Sequence, residues 1–279
     1  SNERSLYMEF LHVLKERSNM PLITVHAGCC NTHPNSSESI IAAYHSPADV
    51  IEIDVQASLD KEIFLMHDSG FNLSSSEIIP TENLSWKEIQ YIVNSHQQDS
   101  LLSFDNFCDL IGELDRSILQ NPSLKKPFFN LDIKTISALS LVAAKVRSRK
   151  IETRVVFSGL YEEGIALAFN HIPDMIYLFN ADTFLSERSA SQTIEDRIEH
   201  ACSLALRYGC KGVNLQWTKA SRELVRRIHE RGLVVTLWTV DKESDMEQVL
   251  QFKPDSVTTN YPDRLLSVMK KHMQSSINS

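Results

Sequence analysis

A chain of 279 residues, 42% hydrophobic and 23% charged, has ordinary globular composition and can bury a large core, either as two average domains or as one α/β barrel. Its 28 Lys and Arg against 36 Asp and Glu leave a net charge of -8, the wrong sign for a broad nucleic-acid surface. A small-molecule substrate is expected and no nucleic acid; no apolar run approaches the roughly 20 residues of a membrane helix, so no transmembrane segment is expected either.

In chain order, the first twenty residues set Leu6, Phe10, Leu11 and Leu14 among charges. That pattern predicts an amphipathic N-terminal helix, placed to plug a barrel floor, and lacks the unbroken apolar core of a signal peptide. A leader removed ahead of Ser1 stays open. The cytoplasm is the default compartment, because Cys29, Cys30, Cys108, Cys202 and Cys210 are odd in number and show no paired short spacing that would indicate a disulfide framework.

Eight β-rich runs then recur, at 22–28, 50–55, 128–134, 153–159, 175–180, 212–217, 233–240 and 255–260. Helical segments alternate with them, at 36–45, 104–119, 135–149, 160–170, 193–208, 219–231, 242–252 and 262–273. The runs are nearly continuous in apolar character, as expected of strands covered on both faces. Eight such units in about 250 residues predict an α/β fold, a (β/α)8 TIM barrel, as one domain over 1–279. A further run at 62–68 begins too soon after Asp54 for a crossover helix, and predicts a hairpin at the barrel mouth. Residues 68–103 then form an insertion beside it, in which Ser85 and Glu88 have capping-box spacing.

Active sites of such barrels lie at the carboxyl ends of the strands. The first run ends in His26, the second carries Glu52 and Asp54, and the third carries Asp132 and Lys134. The i, i+2 spacing aims each pair at one side of its strand. Three carboxylates without a thiolate suit a hard cation, Ca²⁺ or Mg²⁺. Any one of these residues alone reads better as a solvated strand end or a satisfied polar group, and their joint placement reverses that reading. His26 and His67 add two imidazoles of near-neutral pKa, one to take a proton and one to give it. Trp238 and Phe71 are candidate substrate contacts, with barrel filling as the alternative for Trp238. Asn180, Asp182, Asn214 and Gln216 also fall at or just past strand ends, without an assigned role. Cys29, Cys30 and His33 lack a second ligand pair and read as an ordinary loop. The basic helix around His229 reads as a solvated face.

These residues fall in His26-Ala-Gly28, the SESIIAAY run at 37–44, Glu52-Ile-Asp54-Val55, Met66-His67-Asp68, Leu131-Asp-Ile-Lys134, Trp238-Thr-Val240 and Thr258-Thr-Asn-Tyr-Pro262. In order and spacing the motifs resemble the glycerophosphodiester phosphodiesterase family over nearly the whole chain. The resemblance implies a divalent cation on Glu52, Asp54 and Asp132, an acid–base pair in His26 and His67, and Lys134 assisting at phosphorus. It also implies attack by a neighbouring substrate hydroxyl, giving a cyclic phosphate that water opens. Several family positions differ here: the usual Arg after the first His is Ala27, the usual Glu before Lys134 is Asp132, and the usual Asn of the P-E-N-T motif is Ser39. Two further arginines are missing, one from SGFNLSSS and one at Tyr261. His26-Ala and Leu131-Asp-Ile-Lys134 also resemble, more weakly, the menorin-like relatives of the superfamily. The expected function is a metal-dependent phosphodiester hydrolase acting on glycerophosphodiesters or related lipid-derived headgroup diesters. The alternatives are a catalytically silent barrel that binds a phosphorylated ligand, or the same chemistry on a phospholipid or inositol-type diester. The oligomeric state is left open.

Overall fold

A computed structural model describes residues 20–26, 28–74, 76–96, 101–121, 123–186 and 192–279; the predicted N-terminal helix and Ala27 lie outside them. The strands among the described residues are β1 (Leu22–Val25), β2 (Val50–Ala57), β3 (Ile63–Leu65), β4 (Gly70–Asn72), β5 (Ile78–Pro80), β6 (Phe128–Ile133), β7 (Val155–Leu160), β8 (Ile176–Asn180), β9 (Gly212–Gln216), β10 (Val234–Trp238) and β11 (Ser256–Thr259). Strands β1, β2 and β6 to β11 pair in parallel, each with the next, and β11 returns to β1. This closed ring with helices between the strands is a (β/α)8 TIM barrel.

The two faces of each strand explain why the ring forms. Odd-numbered residues such as Ile51, Ile53, Val55, Leu131, Phe157, Leu215 and Leu237 are buried completely and pack against the helices. Even-numbered residues point inward and change character with height. At the floor, Leu22, Val50, Val156, Ile176 and Leu178 form an apolar plug. Above them the layer is polar and internally bonded: Thr24 Oγ1 lies 2.6 Å from Ser256 Oγ, Ser158 donates to Asn130 Oδ1 at 2.6 Å, and Thr236 donates to Asn214 Oδ1 at 2.6 Å. The row ends at the mouth in ionisable groups, with Asp54 in register with Asp132.

The mouth hairpin forms as predicted, but only Ile63–Leu65 of the 62–68 run is strand; it pairs antiparallel with the upper half of β2. His67 therefore stands in the loop after β3. The insertion is not irregular: it holds the β4–β5 hairpin and a helix, Trp86–Ser95, whose capping box joins Ser85 to Glu88 as its spacing predicts. Ile89 and Val93 of that helix bury Phe64 of β3, which covers the hairpin from outside. The segment predicted as one helix at 219–231 is a 3-10 turn, Trp217–Lys219, followed by a helix, Arg222–Glu230, and a short helix not foreseen, Asp182–Ser186, follows β8. Ser221 explains the first break: its side chain accepts from the Leu224 N–H and starts the helix there.

Two positions fix local geometry. Gly159 has φ +73°, and a Cβ there would come within 2.2 Å of Asp132 Oδ1 and 2.7 Å of the Ile133 carbonyl. The left-handed backbone and the close approach both require glycine. Gly159→Ala should cost at least about 2 kcal/mol in urea unfolding and should displace the Asp132 carboxylate, lowering any activity that depends on it. His229, read from sequence as part of a solvated face, instead holds its helix to the barrel: its Nε2 lies 2.7 Å from Asp255 Oδ2, which also accepts from the Val235 N–H at 2.7 Å. The Asp255 hydrogen bond raises the His229 pKa, against a smaller opposing effect of burial. A raised folded-state pKa gives stability that is fully present below the unfolded value near 6.5 and is lost as pH rises through the folded value. Unfolding free energy should therefore decline as pH climbs above about 6.5, and His229→Gln should remove that part of the slope.

Candidate functional site

Side chains from the ends of β1, β2 and β6 meet at the mouth. His26 follows β1 directly, with its N–H bonded to the Thr259 carbonyl at 3.1 Å and its Nε2 3.5 Å from Glu52 Oε1. Lys134 follows β6 and donates to Asp132 Oδ2 at 3.0 Å, while its Nζ lies 3.5 Å from Asp54 Oδ1. Glu52, Asp54 and Asp132 each offer an oxygen within 4.8 Å of the others.

Burial sets the electrostatics of this group. Glu52 is 7% exposed and Asp54 2%. Burial first, then the charges of Asp132 and Asp54, push the Glu52 carboxyl well above the usual carboxylate range. Burial raises the Asp132 pKa as well, with Lys134 opposing. Lys134 is shifted upward: burial works against its charge, and Asp132 and Asp54 outweigh it. Burial lowers the His26 pKa despite the nearby Asp54 and Asp132. Three acids are thus crowded where one ammonium is their only charged lysine or arginine neighbour along the cleft wall, among the described residues.

Asn35 is a member of the site that sequence reasoning missed. It sits in left-handed backbone, φ 59°, accepts from the Asp54 N–H at 3.0 Å and donates to Asp54 Oδ2 at 2.9 Å. The other oxygen, Asp54 Oδ1, is buried without a hydrogen bond. That oxygen has only the Lys134 ammonium near it, at 3.5 Å, and stands among two other carboxylates; such an all-oxygen set is incompletely satisfied and fits a hard divalent cation. The Asn-rich loop at 31–35 was the available signal, but nothing local tied it to Asp54.

The cleft over these groups has a volume of about 460 Å³, and His26, Glu52, His67, Asp132, Lys134 and Trp238 all line it. His67 reaches it from the mouth loop, 60% exposed, with Nδ1 2.8 Å from Asp68 Oδ1. Trp238 stands on the opposite wall, its buried Nε1 turned to the Asp182 carboxyl. Phe71, the other expected substrate contact, does not line this cleft. It packs under the Trp86–Ser95 helix and borders a separate recess of about 240 Å³ that shares His67 with the cleft. Asn180 and Asn214 line the cleft, whereas Asp182 and Gln216 bond to each other behind it, the Gln216 N–H donating to Asp182 Oδ1 at 2.7 Å.

The profile of the glycerophosphoryl diester phosphodiesterase family matches residues 26–158 and 175–264. Among named relatives, a glycerophosphodiester phosphodiesterase of Bacillus altitudinis is 22% identical over 262 residues, covering 90% of this chain and 99% of its own. One from Arabidopsis thaliana is 25% identical over 268 residues, covering 90% and 74%. A crystal structure of a glycerophosphodiester phosphodiesterase from Parabacteroides distasonis superposes with a TM-score of 0.71 at 16% identity, covering 91% of this chain and 98% of that one. A phosphodiesterase of Oleispira antarctica, solved with its product sn-glycerol-3-phosphate, gives 0.65 at 18% identity, with 91% and 98% covered. At such identities the structures establish the shared barrel, and the profile match establishes descent: this chain belongs to the glycerophosphoryl diester phosphodiesterase family of phosphoric diester hydrolases.

Proposed function

We propose that the protein hydrolyses glycerophosphodiesters or related lipid-derived headgroup diesters, with Glu52, Asp54 and Asp132 holding one divalent cation and His26 and His67 exchanging protons with the substrate. The observation that carries this reading is the meeting of the three carboxylates, one with a buried oxygen that lacks a hydrogen bond, beside a cleft lined by both imidazoles. Aspartate at 132, with its short arm, suits the flexible coordination of Ca²⁺ better than the strict octahedron of Mg²⁺.

The roles follow from position. His26, kept neutral by burial, accepts the proton of the substrate hydroxyl that forms the new O–P bond. His67 points Nδ1 at Asp68, leaving Nε2 to protonate the departing alcohol oxygen as its P–O bond breaks. The product of that step is a cyclic phosphate, which water opens with the two proton transfers reversed. Lys134, held charged between Asp132 and Asp54, faces the developing negative charge on the phosphoryl oxygens. A bound cation would offset the same charge. Trp238 offers a flat apolar wall for the alcohol portion.

Excess chelator should abolish hydrolysis of glycerophosphocholine, and added Ca²⁺ or Mg²⁺ should restore it. His26→Ala and His67→Ala should each lower kcat by about two to four orders of magnitude. Full turnover in chelator would overturn the reading, and tight binding of the diester without turnover across several divalent metals would favour the silent barrel instead. The cation should also raise the melting temperature of the wild type and not that of Asp54→Asn.

A further inference from the structure

The inward row of β2 continues past its carboxylates. Glu52, Asp54 and Gln56 stand at i, i+2 and i+4, so all three leave the strand on one side. Gln56 is fully buried where β2 pairs with β3. Its Nε2 donates to the Met66 and Asp68 carbonyls, both at 2.7 Å. These are the carbonyls on either side of His67. Its Oε1 accepts from the Thr81 hydroxyl at 2.5 Å, and the Thr81 N–H and hydroxyl reach the Ser69 carbonyl at 2.9 and 3.2 Å.

Both amide donors and the carbonyl of Gln56 are therefore used inside a dry setting, where each unmet group would be costly. His67 itself has little to hold it: its ring is 60% exposed and its hydrogen-bond partner, Asp68, is 82% exposed. The backbone on both sides sets where, and in which direction, the side chain leaves the loop. That backbone is also tied to the acid cluster, since the Met66 N–H donates to the Asp54 carbonyl at 3.2 Å.

We propose that Gln56 is a positioning residue for His67: its amide clamps the carbonyls flanking the histidine so that the imidazole is presented to the cleft above the carboxylates. Gln56 touches no substrate, and the inference rests on the reading of His67 as the acid that protonates the leaving alcohol. Thr81 orients the amide and so links the insertion to the same histidine.

The test compares two leaving groups on the full chain with added divalent metal. Choline must be protonated as it leaves glycerophosphocholine, whereas p-nitrophenolate leaves the p-nitrophenyl ester of glycerol phosphate as a stable anion. Gln56→Met keeps the volume and removes both donors. Its kcat on glycerophosphocholine should fall about 10- to 100-fold with KM changed by about twofold or less, and on the p-nitrophenyl ester by only about threefold or less. His67→Ala should show the same selectivity, and Gln56→Met should add nothing further in that background. Equal losses on both esters, or a full additional loss on top of His67→Ala, would assign Gln56 to general scaffolding and overturn the proposal. Should Gln56→Met not fold, Thr81→Val loosens the same amide and should give a smaller loss with the same selectivity; an unselective loss overturns the clamp in that variant too. If His67→Ala itself kept full rate, the reading of His67 would fail; if Gln56→Met alone kept it, only the clamp would.

Discussion

Three carboxylates gathered within 4.8 Å of one another in a nearly dry pocket are the feature to which the rest of this barrel is answerable. At that separation and an effective dielectric of about 20, each ionised pair repels by about 3 to 4 kcal/mol. Lys134, bonded to Asp132 and close to Asp54, offsets part of this. Burial first, and then the repulsion that Lys134 leaves, raise the pKa of Glu52 and Asp132. Such a group does not assemble itself; the strands impose it. The complete burial of the odd-numbered side chains of β2, β6 and β7 under the helices is what holds the even-numbered ones together. Asn35 and Gly159 tighten the result, one by pinning Asp54 from the first loop and the other by letting β7 approach Asp132.

That division of labour governs how much of the molecule could be read from its sequence. The eight units were legible because the outward faces are almost wholly apolar and the floor of most inward faces is too, so most strands begin as a continuous apolar run. The acids were legible because they interrupt those runs at i, i+2 spacing near the carboxyl end. The same reasoning stops at residues whose partner is distant in sequence. Asn35 is polar in a polar loop, and its bond to Asp54 spans 19 positions. Phe71 looked like a substrate contact because it lies in the insertion, but an aromatic beside a helix with Ile89 and Val93 on its inner face is drawn under that helix. His229 reads from the sequence as a surface group because its helix is charge-rich, while its partner Asp255 comes from the turn before another strand.

The missing arginines gain meaning from the wall of the cleft. Where the family resemblance leads one to expect basic groups at Ala27, in the run after Asp68 and at Tyr261, Lys134 is the lysine or arginine among the described lining residues, and it is already committed to two carboxylates. With so little fixed positive charge, attraction for a phosphodiester anion would depend chiefly on whatever neutralises Glu52, Asp54 and Asp132. Under the proposed function a cation therefore has two tasks, completing the acid cluster and supplying the positive field that a more basic cleft would carry itself. Substrate affinity and metal affinity become linked quantities, because each negative group favours the cation that the other also needs. A diester whose alcohol carries its own positive charge or apolar surface would add interactions that do not depend on that cation, with Trp238 on one wall and the exposed ring of Tyr161 at the rim to receive it. Selectivity among diesters would then reside in the alcohol portion more than in the phosphate, which puts the determining contacts on Trp238 at the end of β10 and on Tyr161 just past β7.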